Sequence, residues 1–166
     1  MKISSGVFLL GAMLLGNQVL AADVIRHKIP NSDFPIAAAV EIPAGKTQVY
    51  LSGAGPSVAD KTLPASSPAA YGNTRDQTIN TLEKIRAQLQ GLKLDMKDVV
   101  KMQVFLVGDP AKEGKMDFAG FMEGYVKFFG VAAGQPNLPT RSTMQVAGLA
   151  NPGWLVEIEV VAVRSK

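Results

Sequence analysis

Residues 139–146, PTRSTMQV, set one arginine, Arg141, among small hydroxyl residues where the chain begins to alternate like a strand. A guanidinium carries a rigid fork of donors that meets both oxygens of a carboxylate at once. Arg141 is therefore a candidate anchor for a small carboxylate. Residues 155–161, LVEIEVV, put Glu157 and Glu159 on one strand face and Val156 and Ile158 on the other. If this strand lies beside the one carrying Arg141, a carboxylate and the guanidinium share a surface. They then form either a ligand site or an internal salt bridge at a subunit contact, and the residue types leave both open. Residues 49–56, VYLSGAGP, end a strand in a Ser-Gly-Ala-Gly turn, through Ser52 and Gly53, which lets backbone N–H groups approach a ligand closely. Most turns of this kind only reverse the chain.

The residues that are missing narrow the chemistry further. The chain has no cysteine, which rules out disulfides, a thiol nucleophile and a zinc-thiolate site. His27 is its one histidine, so a Ser-His triad or a transition-metal site built by the protein is not expected. Catalysis falls to carboxylates, hydroxyls, Lys, Arg, Tyr or backbone groups, with no metal and no cofactor. The net charge of +3 is mild, and no Lys/Arg cluster is interleaved with aromatics, so nucleic acid is not an expected partner.

Residues 1–22 read as an export signal. Lys2 gives a basic start, VFLLGAMLL (residues 7–15) an apolar centre, and Ala21 or Ala22 closes a small-residue cleavage site. Gly16, Asn17 and Gln18 interrupt the run well short of the roughly 20 residues that a membrane span needs. The expectation is a periplasmic or secreted mature chain, residues 23–166, with no membrane attachment after cleavage. That length holds a single domain with a real core.

Several elements must position these residues. NTRDQTINTLEKIRAQLQG (73–91) carries Ile79, Leu82, Ile85 and Leu89 on one helical face, with Thr74 and Gln77 as a capping box and Gly91 at the far end. DFAGFMEGYVKFFG (117–130) carries an aromatic stripe of Phe118, Phe121, Tyr125, Phe128 and Phe129, read as core, with Asp117 as N-cap. Strands are expected at 24–29, 36–42, 47–52, 98–107, 141–147 and 155–163. Three strands, helix, strand, helix and two strands predict an α+β fold with both helices on one sheet face. The strand at 98–107 is apolar on both sides, and two helices cover only one. The uncovered side predicts a homo-oligomer with sheets inside. Three connectors, 56–73, 108–116 and 130–140, are long or rich in Gly, Pro and Ala.

VYLSG, QTINTLEKIRAQLQGLKLDMKDVVKMQVFLVGD, DFAGFMEGYVKFF, PTRSTMQVAGL and VEIEVVAV, in this order, resemble the signatures of the RidA or YjgF reactive intermediate deaminase family, also labelled endoribonuclease L-PSP. The resemblance spans residues 34 to 164. It implies a chorismate mutase-like homotrimer, each chain a six-stranded mixed sheet with two helices on one face, with clefts between subunits. It also implies hydrolysis there of small 2-imino or enamine acids to 2-keto acids and ammonia. Arg141 matches the carboxylate-binding arginine, and Glu157 the glutamate that helps hold the attacking water. Thr143 falls near that water, and Ser52 with Gly53 line the pocket floor. Two positions depart from the pattern: Phe34 stands near where a tyrosine precedes the second strand, and Met122 replaces an asparagine. The competing readings are a non-catalytic carboxylate-binding trimer and a chaperone-like holdase. Near-neutral charge and a single histidine give ribonuclease activity little support.

Overall fold

The computed structural model describes residues 23–164, so the expected export signal lies outside the described residues. The elements run β1 (Ile25–Lys28), β2 (Ala37–Glu41), β3 (Gln48–Ala54), α1 (Thr74–Gly91), β4 (Val99–Val107), α2 (Phe118–Tyr125), β5 (Thr140–Val146) and β6 (Val156–Val163). This is the order expected from the sequence. No helix among the described residues is long and apolar enough to cross a membrane.

The six strands do not form one sheet. β3, β6, β4 and β5 make a four-stranded mixed sheet in that order, with β4 and β5 parallel and the other pairs antiparallel. β1 and β2 form a separate antiparallel hairpin. The hairpin comes up to β5 but makes no ladder with it: the Ala37 N–H bonds the Pro139 carbonyl at 2.9 Å just where pairing would begin. Pro136 and Pro139 have no N–H to offer, which removes donors from the approach to this edge. A side chain does the fastening. The Arg26 guanidinium donates to the carbonyls of Val99, Leu138 and Lys97, each at 3.0 Å, tying β1 to the start of β4 and the approach to β5.

Strand alternation decides what each face does. Met102, Val104 and Leu106 of β4, with Val156, Ile158, Val160 and Ala162 of β6, are buried beneath the helices. Leu82, Ile85 and Leu89 of α1, and Phe121, Tyr125 and Phe129 on and after α2, fill the other side of that core. Both helices therefore cover one face, as expected. Gln103, Phe105 and Val107 of β4 and Glu157, Glu159 and Val161 of β6 lie half-buried on the open face, beside an exposed Tyr50. That face mixes apolar and polar residues, whereas the sequence pattern predicted a mainly apolar strip.

The helix ends settle two local expectations. Asn73, and not Thr74, caps α1, its side chain accepting from the Asp76 N–H. Gln77 is drawn away from any capping box: its amide donates to the Gly72 and Gly153 carbonyls and its oxygen accepts from the Leu155 N–H at 2.7 Å. A buried amide pays for its desolvation only when both ends are bonded, and here α1 is stitched to the start of β6. Asp117 caps α2 as expected, accepting from Gly120 N–H. α2 itself ends at Tyr125, earlier than the stripe implied, and Phe128 and Phe129 follow in turns. Gly124 lets α2 sit against α1, since a β-carbon there would come within 2.8 Å of Thr78.

Phe129 is wholly buried and stacks on Tyr125 with ring centroids 4.9 Å apart. Phe129→Ala leaves a cavity beneath α2 and is expected to cost about 3–5 kcal/mol. Urea unfolding of the two proteins checks this; a loss below about 1 kcal/mol contradicts the packing described.

Candidate active site

β5 delivers Arg141 to the helix-covered face, because it pairs with Met102 in the parallel register and shares that residue's side. There it meets aromatic rings. The guanidinium carbon lies 4.3 Å from the Tyr125 ring centroid, 4.9 Å from Phe121, 5.4 Å from Phe34 and 5.9 Å from Phe118. Ring faces attract a cation with roughly 0.5–2 kcal/mol each, which offsets part of the cost of drawing the charge out of water. Burial lowers the Arg141 pKa from its ordinary value, and the neighbouring Tyr125 opposes that shift. Arginine nonetheless stays protonated in proteins.

The charge has no anionic partner among the described residues. No ion pair among the described residues includes Arg141, Glu157 or Glu159. Arg141 Nη1 is buried with no hydrogen-bond partner, and so is Thr143 Oγ1, two residues along the same strand face. An unmet buried polar group costs about 1–3 kcal/mol, so a ligand supplying acceptors here recovers that cost. A crevice of about 380 Å³ opens between β2 and β5, where Ile29, Ile36, Ala37, Met102 and Thr140 join Arg141. Tyr125 closes the site from above: its hydroxyl donates to the Pro35 carbonyl at 2.8 Å, which holds the β1–β2 loop and Phe34 over the guanidinium.

Gly53 and Glu157 meet elsewhere, with Ser52 adjoining Gly53 along β3. β3 slips register against β6 between Leu51 and Ala54, so Ser52 and Gly53 form a bulge. The Glu157 carboxylate occupies the space where a β-carbon on Gly53 would stand, so any larger residue there would have to push that carboxylate aside. Glu157 pairs with Phe105 and shares its open face. The four-stranded order puts β6 two strands from β5, about 10 Å away, and β3 at the far edge. One chain therefore gathers Arg141 with Thr143, and Glu157 with Ser52 and Gly53, and keeps the two sets apart on opposite faces.

Sequence reasoning read Phe118, Phe121 and Tyr125 only as core. Phe121 and Tyr125 are core, whereas Phe118 stays partly exposed at its edge; all three rings also wall Arg141, and nothing in helical spacing distinguishes a ring that packs on leucine from one that packs on a guanidinium. Met122 is half-buried against the core cluster. Among the described residues, no three His, Asp or Glu side chains gather as metal ligands would.

A family model described as Endoribonuclease L-PSP matches residues 30–164. The chain belongs to this family. The L-PSP chain is 31% identical to the RutC family protein PH0854 of Pyrococcus horikoshii over 99 residues, 60% of this chain and 69% of that one. It is 38% identical over 93 residues to TdcF of Escherichia coli, named as a candidate reactive intermediate deaminase, covering 56% of this chain. That match spans 65% of TdcF's own length. A crystal structure of Escherichia coli TdcF with bound serine superposes with a TM-score of 0.54 and 32% identity, covering 82% of this chain and 94% of TdcF. The Rid family protein YyfB of Yersinia pestis gives a TM-score of 0.64 at 19% identity, over 86% of this chain and all of the other, and speaks to the fold alone. These likenesses support the α+β architecture with two helices read from the sequence.

Burial pushes the Tyr125 phenol above its ordinary pKa of 10.0, against the pull of Arg141. The folded chain then keeps this proton after the unfolded chain has lost it. The stabilising contribution is full below pH 10 and falls as pH climbs above it, by up to about 1.4 kcal/mol per pH unit. Unfolding free energies at pH 8.5 and pH 11 should show this decline, and Tyr125→Phe should show a shallower one. Equal slopes in the two proteins count against a buried phenol beside Arg141.

Proposed function

We propose that this L-PSP chain is an exported deaminase that hydrolyses small 2-imino or enamine acids to 2-keto acids and ammonia, in a cleft between copies of a homotrimer. The observation that carries the reading is the Arg141 guanidinium, whose Nη1 is buried without a hydrogen-bond partner and which has no ion pair among the described residues. The likeness to TdcF, whose structure holds serine, supports a small amino-acid-like ligand.

In this reading Arg141 of one copy takes the substrate carboxylate in a bidentate grip, and the bulge and Glu157 of a neighbour close the cleft. A protonated imine is already electrophilic, so catalysis needs little beyond position. Water attacks the imine carbon and Glu157 takes one of its protons as the C–O bond forms. Glu157 returns that proton to nitrogen. The C–N bond then breaks, the hydroxyl proton passes to the departing ammonia, and the products are the keto acid and ammonium. The Thr143 hydroxyl, buried on the Arg141 face, orients the water or the imine nitrogen. The expected periplasmic or secreted location follows from residues 1–22.

The binding-only alternative draws on one observation: the Arg141 half holds no carboxylate able to serve as a base. Turnover separates the two. An amino-acid oxidase supplies imine, and its consumption is followed with and without the purified protein. Arg141→Ala is expected to lower kcat/KM about 100-fold or more, the loss of a charge-assisted bidentate pair plus orientation. Arg141→Lys keeps the charge without the fork and should recover only a small part. Saturable keto-acid binding without acceleration of any imine supports the sensor reading; activity indifferent to Arg141 removes both.

A further inference from the structure

We propose that the Arg141 half-site selects 2-imino and 2-keto acids whose substituent is apolar and larger than methyl, with Phe34 and Phe118 as the specificity-determining residues. The inference rests on Arg141 as the carboxylate anchor; it does not depend on turnover.

A ligand held by its carboxylate presents its substituent to whatever surrounds the guanidinium fork. Phe121 and Tyr125 have no exposed surface and are spent on the core. Phe34 and Phe118 differ, being 40% and 36% exposed while their rings stay within 5.4 Å and 5.9 Å of the guanidinium carbon. They form the accessible rim. The adjoining crevice adds Ile29 and Ile36, again apolar. Polar company is limited: the Tyr125 hydroxyl donates to the Pro35 carbonyl and the Thr140 hydroxyl to the Val100 carbonyl, and Ser142 lines the crevice from the other side of β5, which leaves the Thr143 hydroxyl on this face.

A hydroxylated or amide substituent would give up water here for few partners, whereas an alkyl group covers two exposed rings. Lys101 also lines the crevice and would attract a second carboxylate. It stands exposed, however, on the opposite side of β4 from Met102, where water screens its charge. The rings decide.

Each methylene fully withdrawn from water is worth about fourfold in affinity, and a half-open rim yields about twofold. Three more carbons separate 4-methyl-2-oxopentanoate from pyruvate. Titration calorimetry on the full-length mature protein should therefore find the larger keto acid bound about tenfold more tightly, with 3-hydroxypyruvate and 2-oxoglutarate no tighter than pyruvate. The paired change Phe34→Ser with Phe118→Ser should bring the ratio within about twofold, and Phe34→Leu should keep most of it, which guards against mere misfolding. Tighter binding of pyruvate or of either polar acid overturns the proposal, as does a serine pair that retains the full ratio. Imine hydrolysis is measured alongside. An intact affinity ladder without turnover refutes the hydrolytic reading and leaves the selectivity standing; turnover with a flat ladder does the reverse. Failure of every keto acid to bind refutes both.

Discussion

A guanidinium withdrawn from water demands compensation, and in most folded chains a carboxylate provides it. Arg141 receives aromatic faces instead. Four rings surround it, three from α2 and one from the β1–β2 loop, while Nη1 is left without an acceptor. Quadrupoles stabilise a cation without neutralising it. The charge is thereby held in place and still available to an anion, a condition that a salt bridge to Glu157 or Glu159 would have abolished. Much else in the fold serves this arrangement: the early end of α2, the Tyr125 bond to Pro35, and the Arg26 clamp that keeps the hairpin near β5.

The sheet order keeps Arg141 and Glu157 apart within one chain. Strand alternation sends Arg141 and Thr143 toward the helices and Glu157 away from them, and β6 and β5 are separated by β4. No side-chain rotation bridges that gap. Arg141 with Thr143 stands at the β5 edge of the sheet, and Glu157 with Gly53 toward the β3 edge. Under the proposed function, copies of the chain complete one another, and activity then depends on association.

Where local chemistry dominates, the sequence was a sufficient guide. Element order, the Asp117 cap and the buried face of α1 follow from short-range pattern, and strand ends differ by only one or two residues; Ser52 and Gly53, read as a turn that ends the strand, instead form a bulge inside β3. The cap on α1 was misread because Asn73 and Thr74 are both good caps, and tertiary demand for Gln77 at Leu155 decided between them. The single six-stranded sheet was implied by the family resemblance; pattern shows only that strands exist, and pairing depends on which edge offers N–H groups. Arg141 and Glu157 could each be picked out by residue type, whereas their placement on opposite faces follows from strand order. The aromatic box was invisible for a related reason: Phe34 lies more than eighty residues from Phe118, and only the folded hairpin brings them to one cation.

The claim that the site is assembled from different chains has a direct trial in complementation. Arg141→Ala and Glu157→Gln chains, each inactive alone, are co-expressed and the mixed assemblies purified. Random mixing leaves about a quarter of the clefts with an intact guanidinium from one copy and an intact carboxylate from the next, so imine hydrolysis should return to about a quarter of the wild-type level. Mixed assemblies as inactive as their parents would contradict the account, because they would place both groups in a single chain's site.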